Sequence, residues 1–95
     1  MRKDIPWGNI AAQLVHAAGE SSQGNLPNNT FAVVLSASNE QELLAIATNL
    51  QKAGIKHKLI KEPDPPFNGA AMAIGVAPCQ REVVKPYLRN LPLLK

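Results

Sequence analysis

Apolar residues first recur at helical spacing. Ile10, Leu14, Ala17 and Ala18 fall at i, i+4, i+7 and i+8, so they line one side of a helix from about Gly8 to Ser21. The next stretch, Glu20 to Asn29, is rich in Ser, Gly, Asn and Pro and reads as a loop. It gives way to a continuous β-branched and aromatic run over Thr30 to Ser36, the pattern of a strand buried on both faces. Ser38 and Gln41 stand at capping-box spacing before a second helix, whose buried stripe is Leu43, Ile46, Ala47 and Leu50. Gly54 closes that helix. Lys56 to Lys61 predicts a short strand, Pro63 to Gly69 a proline-rich loop, and Ala70 to Val76 a last strand. A terminal helix follows Pro78 and Cys79, and Pro86 must kink or shorten it because proline has no amide donor.

The order helix, strand, helix, strand, strand, helix predicts an α/β fold: a small mixed β-sheet of three to four strands flanked by helices on both faces. One strand that feeds a helix and returns to a strand implies a right-handed βαβ crossover. No repeat or composition shift divides the 95 residues, so a single domain is expected. The first helix leaves no room for a full strand before it, and strands with two-sided apolar character leave an edge wanting a partner. Either Arg2 to Ile5 adds a stub of strand, or a second copy covers the edge, or the natural chain begins further upstream.

Composition narrows the class without naming it. Hydrophobic residues at 45% and charged ones at 18% exclude bulk disorder. The longest apolar runs, Phe31 to Leu35 and Ala70 to Ala77, fall short of the ~18 residues a membrane span requires, so no membrane partner is expected. No secretory leader is visible at Met1. The single cysteine, Cys79, excludes an internal disulfide framework and a cysteine-based zinc site, and suits a cytoplasmic protein. Its position after a proline reads as a small cap or packing residue. The net charge of +3 is unevenly spread. Before Lys52 there are two basic and four acidic residues; from Lys52 onward there are eight and three. A basic half suits a polyanionic partner, and equally a surface kept soluble by lysine.

Certain residues resemble a known family. Gly8-Asn9-Ile10-Ala11-Ala12-Gln13, followed by His16-Ala17, is similar to the first-helix signature of the type-2 peptidyl-tRNA hydrolases, a Gly-Lys-aliphatic-Ala-Ala-Gln stretch and then His-Ala. Later parts match in order: an Asn-Glu-Gln-Glu-Leu helix, Ala53-Gly54, Lys58-Leu59-Ile60, an acidic loop, Asn68-Gly69, a strand ending in Ile74-Gly75, and Leu93-Leu94-Lys95. The resemblance covers almost the whole chain. It implies a four-stranded mixed sheet and a homodimer. The implied activity is hydrolysis of the ester between peptide and tRNA, with tRNA as partner and neither a metal nor an organic cofactor. Family members normally have a strand before the Arg2-Lys3-Asp4-Ile5 segment, which adds to the expectation of an N-terminal truncation.

Asn9, Gln13, His16 and Glu20 form a polar stripe on the first helix, expected opposite the apolar face. An ester hydrolase needs a base or polariser for water and donors for the developing oxyanion. His16 is the stripe's only neutral-pH base, while Gln13 and Asn9 can orient a carbonyl or phosphate. The chain departs from the family pattern in two places. Asn9 stands where the family has lysine, and Glu62-Pro63-Asp64-Pro65-Pro66 replaces an Asp-Ala-Gly-x-Thr loop, so Glu62 supplies the carboxylate and the threonine hydroxyl is missing. The expected catalytic set is therefore His16, Glu62 and Gln13. The expected tRNA-binding set is Asn9, Lys3, Lys58, Lys61, Asn68 and Trp7, with Lys56 a further phosphate contact. Lysines on an edge strand also simply discourage aggregation, and Trp7 serves equally as a base-stacking platform or an apolar staple. His57, between lysines, reads as a partly buried structural histidine. Two other functions stay open: a catalytically weakened RNA-binding relative, and a small α/β dimerisation or regulatory domain without RNA.

Overall fold

The computed structural model describes every residue except 23 and 25, so part of the expected 20–29 loop lies outside the described residues. Three helices and two strands follow in the order α1 (Trp7–Ser21), α2 (Glu40–Lys52), β1 (His57–Glu62), β2 (Ala70–Val76) and α3 (Arg81–Leu88). This is a small α/β fold. Both strands and all three helices lie where the hydrophobic pattern puts them, within a residue or two.

Local chemistry sets the ends of α2. Asn39 is its N-cap, with Oδ1 accepting from the Glu42 amide at 2.9 Å, while Glu42 Oε1 reaches back to accept from the Ser38 amide at 3.2 Å. The capping pair is thus Asn39 with Glu42, one residue beyond the expected Ser38 and Gln41. The physical reason is that the Asn39 backbone is extended and already outside the helix. At the other end Gly54 takes a left-handed φ of 71°, which any residue with a Cβ adopts at a cost. Its amide donates to Gln51 O, and the Ile55 amide donates to Leu50 O, both at 3.0 Å. This is a complete Schellman motif, and Leu50 and Ile55 are both buried.

β1 and β2 pair antiparallel from His57 opposite Val76 to Glu62 opposite Ala70, with an irregularity between Ile60 and Lys61. Both α1 and α2 pack on this pair and do not touch each other. Two apolar clusters result. One joins Ile10 and Ala17 of α1 to Ile60, Met72 and Ala73; the other joins Leu43 of α2 to Ala37 and Ala71, with Ile46, Leu59 and Ile74 packed against it. Hence β2 buries almost its whole length, as a continuous apolar strand should.

The expected strand over Thr30–Ser36 does not form, and the sheet has two strands rather than three or four. The run meets too little partner backbone. Between Val34 and Ala37 it bonds on one side to Met1 and Lys3 and on the other to Pro92 and Leu94. These contacts amount to two isolated bridges, Arg2 with Ala37 and Leu35 with Leu93. Pro92 can accept there but cannot donate. Phe31 and Val33 lie beyond these partners, 85% and 65% exposed, so the two-sided burial is absent and no βαβ crossover is completed. The expected stub at the front is present: Arg2 bridges Ala37, and its amide donates to Met72 O of β2 at 3.2 Å.

Side chains satisfy the neighbouring backbone of β2. Arg2 Nη1 donates to Ala71 O at 3.1 Å, and Glu40 Oε2 accepts from the Ala71 amide at 2.6 Å. Arg2 also forks onto Asp4 at 2.6 and 2.9 Å, a hydrogen-bonded pairing that holds the Asp4 carboxyl below its ordinary pKa. In α3, Pro86 sits within the helix, which ends two residues later. Cys79 precedes that helix by two residues and is exposed, so it neither caps nor packs.

The two ends of α2 give a direct test of this reading. Asn39→Ala and Gly54→Ala are each expected to lower the unfolding free energy by about 1 kcal/mol in urea titrations. Leu43→Ala, at a position 1% exposed, is expected to cost about 2 to 5 kcal/mol.

Candidate active site

The first helix carries its polar residues in a different place from the one the stripe suggests. At 3.6 residues per turn, Asn9, Gln13, His16 and Glu20 border the apolar face, about a quarter turn away, and do not oppose it. Gln13 is the member nearest the core. It is 2% exposed, in line with Ile10, Leu14 and Ala17, whereas Ala18, expected in the core, is exposed. Gln13 is therefore a buried polar side chain in an apolar stripe, and its bonds must be accounted for.

One partner is Glu62. Gln13 Nε2 donates to Glu62 Oε2 at 2.9 Å across 49 residues of chain. Glu62 ends β1, and its other oxygen, Oε1, accepts from the Asp64 amide at 3.1 Å. The loop beyond is pinned to the same residue. The Gly69 amide donates to Glu62 O at 2.6 Å, the Asn68 amide donates to Asp64 O at 3.1 Å, and Asn68 Nδ2 donates to Pro66 O at 3.3 Å. Asn68 and Gly69 both take positive φ, 49° and 93°, and so turn the chain back into β2. Gln13 Oε1, by contrast, is buried with no hydrogen-bond partner among the described residues. A buried acceptor left unpaired costs about 1 to 3 kcal/mol.

The structure thus joins Gln13 and Glu62, residues that the sequence placed in one catalytic set. Asn9 is half-buried one turn before Gln13, and His16, exposed, follows it at i+3, so both are its neighbours on the helix surface. Trp7 opens α1 and is 63% exposed. Asn68 bonds within its own loop. Lys61 is exposed beside Glu62 in the chain, and Lys3 is exposed on the Ala37 side, where its amide donates to Ala37 O at 2.9 Å. Lys58 lies at the far end of β1, in a cleft it shares with Glu20, Ser21, Lys56, His57 and Ala77. Nothing in sequence spacing marks Ser21 or Ala77 as neighbours of that lysine.

Among the described residues, no three His, Cys, Asp or Glu side chains gather as metal ligands, and no helix is long and apolar enough to cross a membrane. What the site offers is hydrogen bonding. It has a carboxylate fixed by two donors, a buried amide with a spare acceptor, a half-buried Asn and a solvent-facing imidazole. That inventory suits the positioning and polarisation of a polar bond and of an attacking water.

No curated protein matches the chain. The profile of one family does: that of the peptidyl-tRNA hydrolase PTH2, over residues 1–94. The match takes in the Gln13 helix, the Glu62 strand and the loop between β1 and β2, and the chain belongs to the PTH2 family of peptidyl-tRNA hydrolases.

Proposed function

We propose that this protein hydrolyses the ester that joins a peptide to the 3′-terminal ribose of tRNA, at the Gln13–Glu62 pair. The observation that carries the proposal is the unpaired acceptor on a 2% exposed glutamine bonded to a strand-end carboxylate. An apolar residue of similar size would pack there without that cost, so the amide has a use beyond stability. Water attacks the ester carbonyl carbon, forming the new C–O bond, and His16 takes its proton. The carbon–ribose oxygen bond then breaks, the proton passes to the ribose oxygen, and a free peptide and tRNA leave. Glu62 and Gln13 hold the reacting groups in line, and Asn9 donates to the carbonyl oxygen as negative charge develops.

Lys3, Lys58 and Lys61 hold the tRNA backbone through phosphate contacts, which supports a salt-sensitive affinity. Trp7, exposed beside the site helix, offers a face for a base. The protein works in the cytoplasm as a homodimer. The exposed Phe31 and Val33 support that assembly, since association would cover them.

The test is release of an N-acetylated amino acid from tRNA by the purified chain. His16→Ala is expected to lower turnover at least tenfold, in line with ordinary general-base losses, while leaving the circular dichroism intact. Unchanged turnover would remove His16 from the chemistry. Gln13→Met is expected to lower turnover as much while leaving the melting temperature level or raising it, because the unpaired acceptor is gone. A variant that melts early would make Gln13 a packing residue instead. Asn9→Lys, which places a cation one helical turn from Gln13, is expected to raise activity or tRNA affinity, and a loss of both would show that position 9 does not face substrate. Retention of tRNA without any release would mark the chain as a binding relative.

A further inference from the structure

We infer that the cleft between the end of α1 and the start of β1 is a subsite for a nucleotide of single-stranded RNA, holding the tRNA 3′ strand while its terminal ester lies at Gln13–Glu62. The inference rests on the hydrolase reading for the second half of that statement. The cleft itself stands on its own geometry. It has a volume of about 210 Å³ and is lined by Glu20, Ser21, Lys56, His57, Lys58 and Ala77. A second cleft of about 270 Å³ shares Lys56 and Ala77 with it, so Lys56 stands where the two meet.

Position and chemistry both favour a nucleotide. Gln13 meets Glu62, while Ser21 meets Gly75, the partner of Lys58 in the ladder. Helix α1 therefore runs antiparallel to β1, and the cleft lies on the same side of the molecule as the Gln13–Glu62 pair. Lys58 and Glu62 are four steps apart along the strand, about 13 Å. A single-stranded 3′ end leaving the ester along β1 reaches the cleft directly. Lys56 and Lys58 are exposed, and neither has a carboxylate within salt-bridge distance among the described residues, so both cations are open to phosphate.

His57 adds discrimination. Its Nδ1 lies 2.7 Å from Ile55 O, and a carbonyl only accepts, so Nδ1 carries the proton. In the neutral ring Nε2 is then an acceptor, the right partner for a ribose 2′-hydroxyl, the group by which RNA differs from DNA. Glu20 is the one acid in the lining. It repels phosphate from its own side and leaves the lysine side to take it.

The test compares two substrates, an N-acetylaminoacyl ester of adenosine and the same ester on the trinucleotide CCA. The wild-type protein is expected to prefer the trinucleotide ester in kcat/KM. The double variant Lys56→Gln/Lys58→Gln is expected to lose at least tenfold of that preference, with both substitutions at exposed positions. A deoxyribose at the nucleotide before the terminal adenosine is expected to slow the wild type but not His57→Ala. An equal preference for the trinucleotide in wild type and double variant would overturn the subsite. If the wild type hydrolyses neither ester, the hydrolase reading fails and binding of a fluorescent, unesterified CCA trinucleotide decides the subsite. Binding that the double variant weakens at least tenfold sustains it. No binding, or equal binding by the two proteins, overturns it.

Discussion

A side chain at position 75 would collide with the Ala17 carbonyl and come within 2.8 Å of the Ser21 side chain, and the arrangement of the molecule follows from glycine being there. With hydrogen in place of a Cβ, the last turn of α1 lies flush against β2. The backbone angle at Gly75 is an ordinary one, so what the glycine supplies is space and not an unusual conformation. Once the end of α1 is fixed on β2, the rest of the helix is fixed too, because a helix is stiff over two turns. Gln13 is thereby carried to the end of β1, where Glu62 waits, and Ser21 to its beginning, where Lys58 lies.

This docking explains why a polar residue can occupy the apolar stripe. Ile10, Leu14 and Ala17 supply the burial that attaches α1 to Ile60, Met72 and Ala73. Gln13 shares their face and is drawn in with them, bonded on one side and unpaired on the other. A local deficit of that kind persists only where surrounding contacts over-determine the geometry, which is common where a protein has a use for the group. The loop that follows Glu62 tightens the same point. Its turn residues return the chain to β2 at Ala70, opposite Glu62 in the ladder, so Glu62 is held at its carboxylate by the start of the loop and at its backbone carbonyl by the end.

Much of this was legible in the sequence because much of it is local. Helical spacing around Ile10 and Leu43, the glycine after α2 and the apolar run over β2 each report on a few neighbouring residues, and five of the six expected elements formed. Thr30–Ser36 was misread for the opposite reason. β-Propensity describes how well a segment fits a pleated, buried surface, and says nothing about whether partner backbone exists. Phe31 and Val33 have the right side chains and no ladder. Gln13 and Glu62 were drawn together by family resemblance, but that Gln13 borders the core stripe was already in the helical arithmetic. Its spacing of three from Ile10 and four from Ala17 sets it at the edge of the stripe, roughly 40 to 60° from those residues. His57 is half-buried, as its sequence reading expects, but its partner, a carbonyl two residues back, carried no signal in the sequence.

The distribution of charge gives the site a direction. Acceptors gather at the Glu62 end, where Gln13 Oε1 and the carboxylate stand with no cation bonded to them among the described residues. At the His57 end Lys56 and Lys58 outnumber the one acid of the cleft, Glu20, while Lys61 is exposed next to Glu62 in the chain. A substrate uniform along its length gains nothing from such an axis. One with phosphates at one end and a neutral, polar ester at the other fits in a single sense, since reversing it would set phosphate against carboxylate. In the proposed reaction the strand lysines hold the tRNA backbone, and hydrogen bonds from the first helix hold the ester. On that reading binding and reaction fall to opposite ends of one helix–strand pair, and Gly75 keeps that pair in close contact.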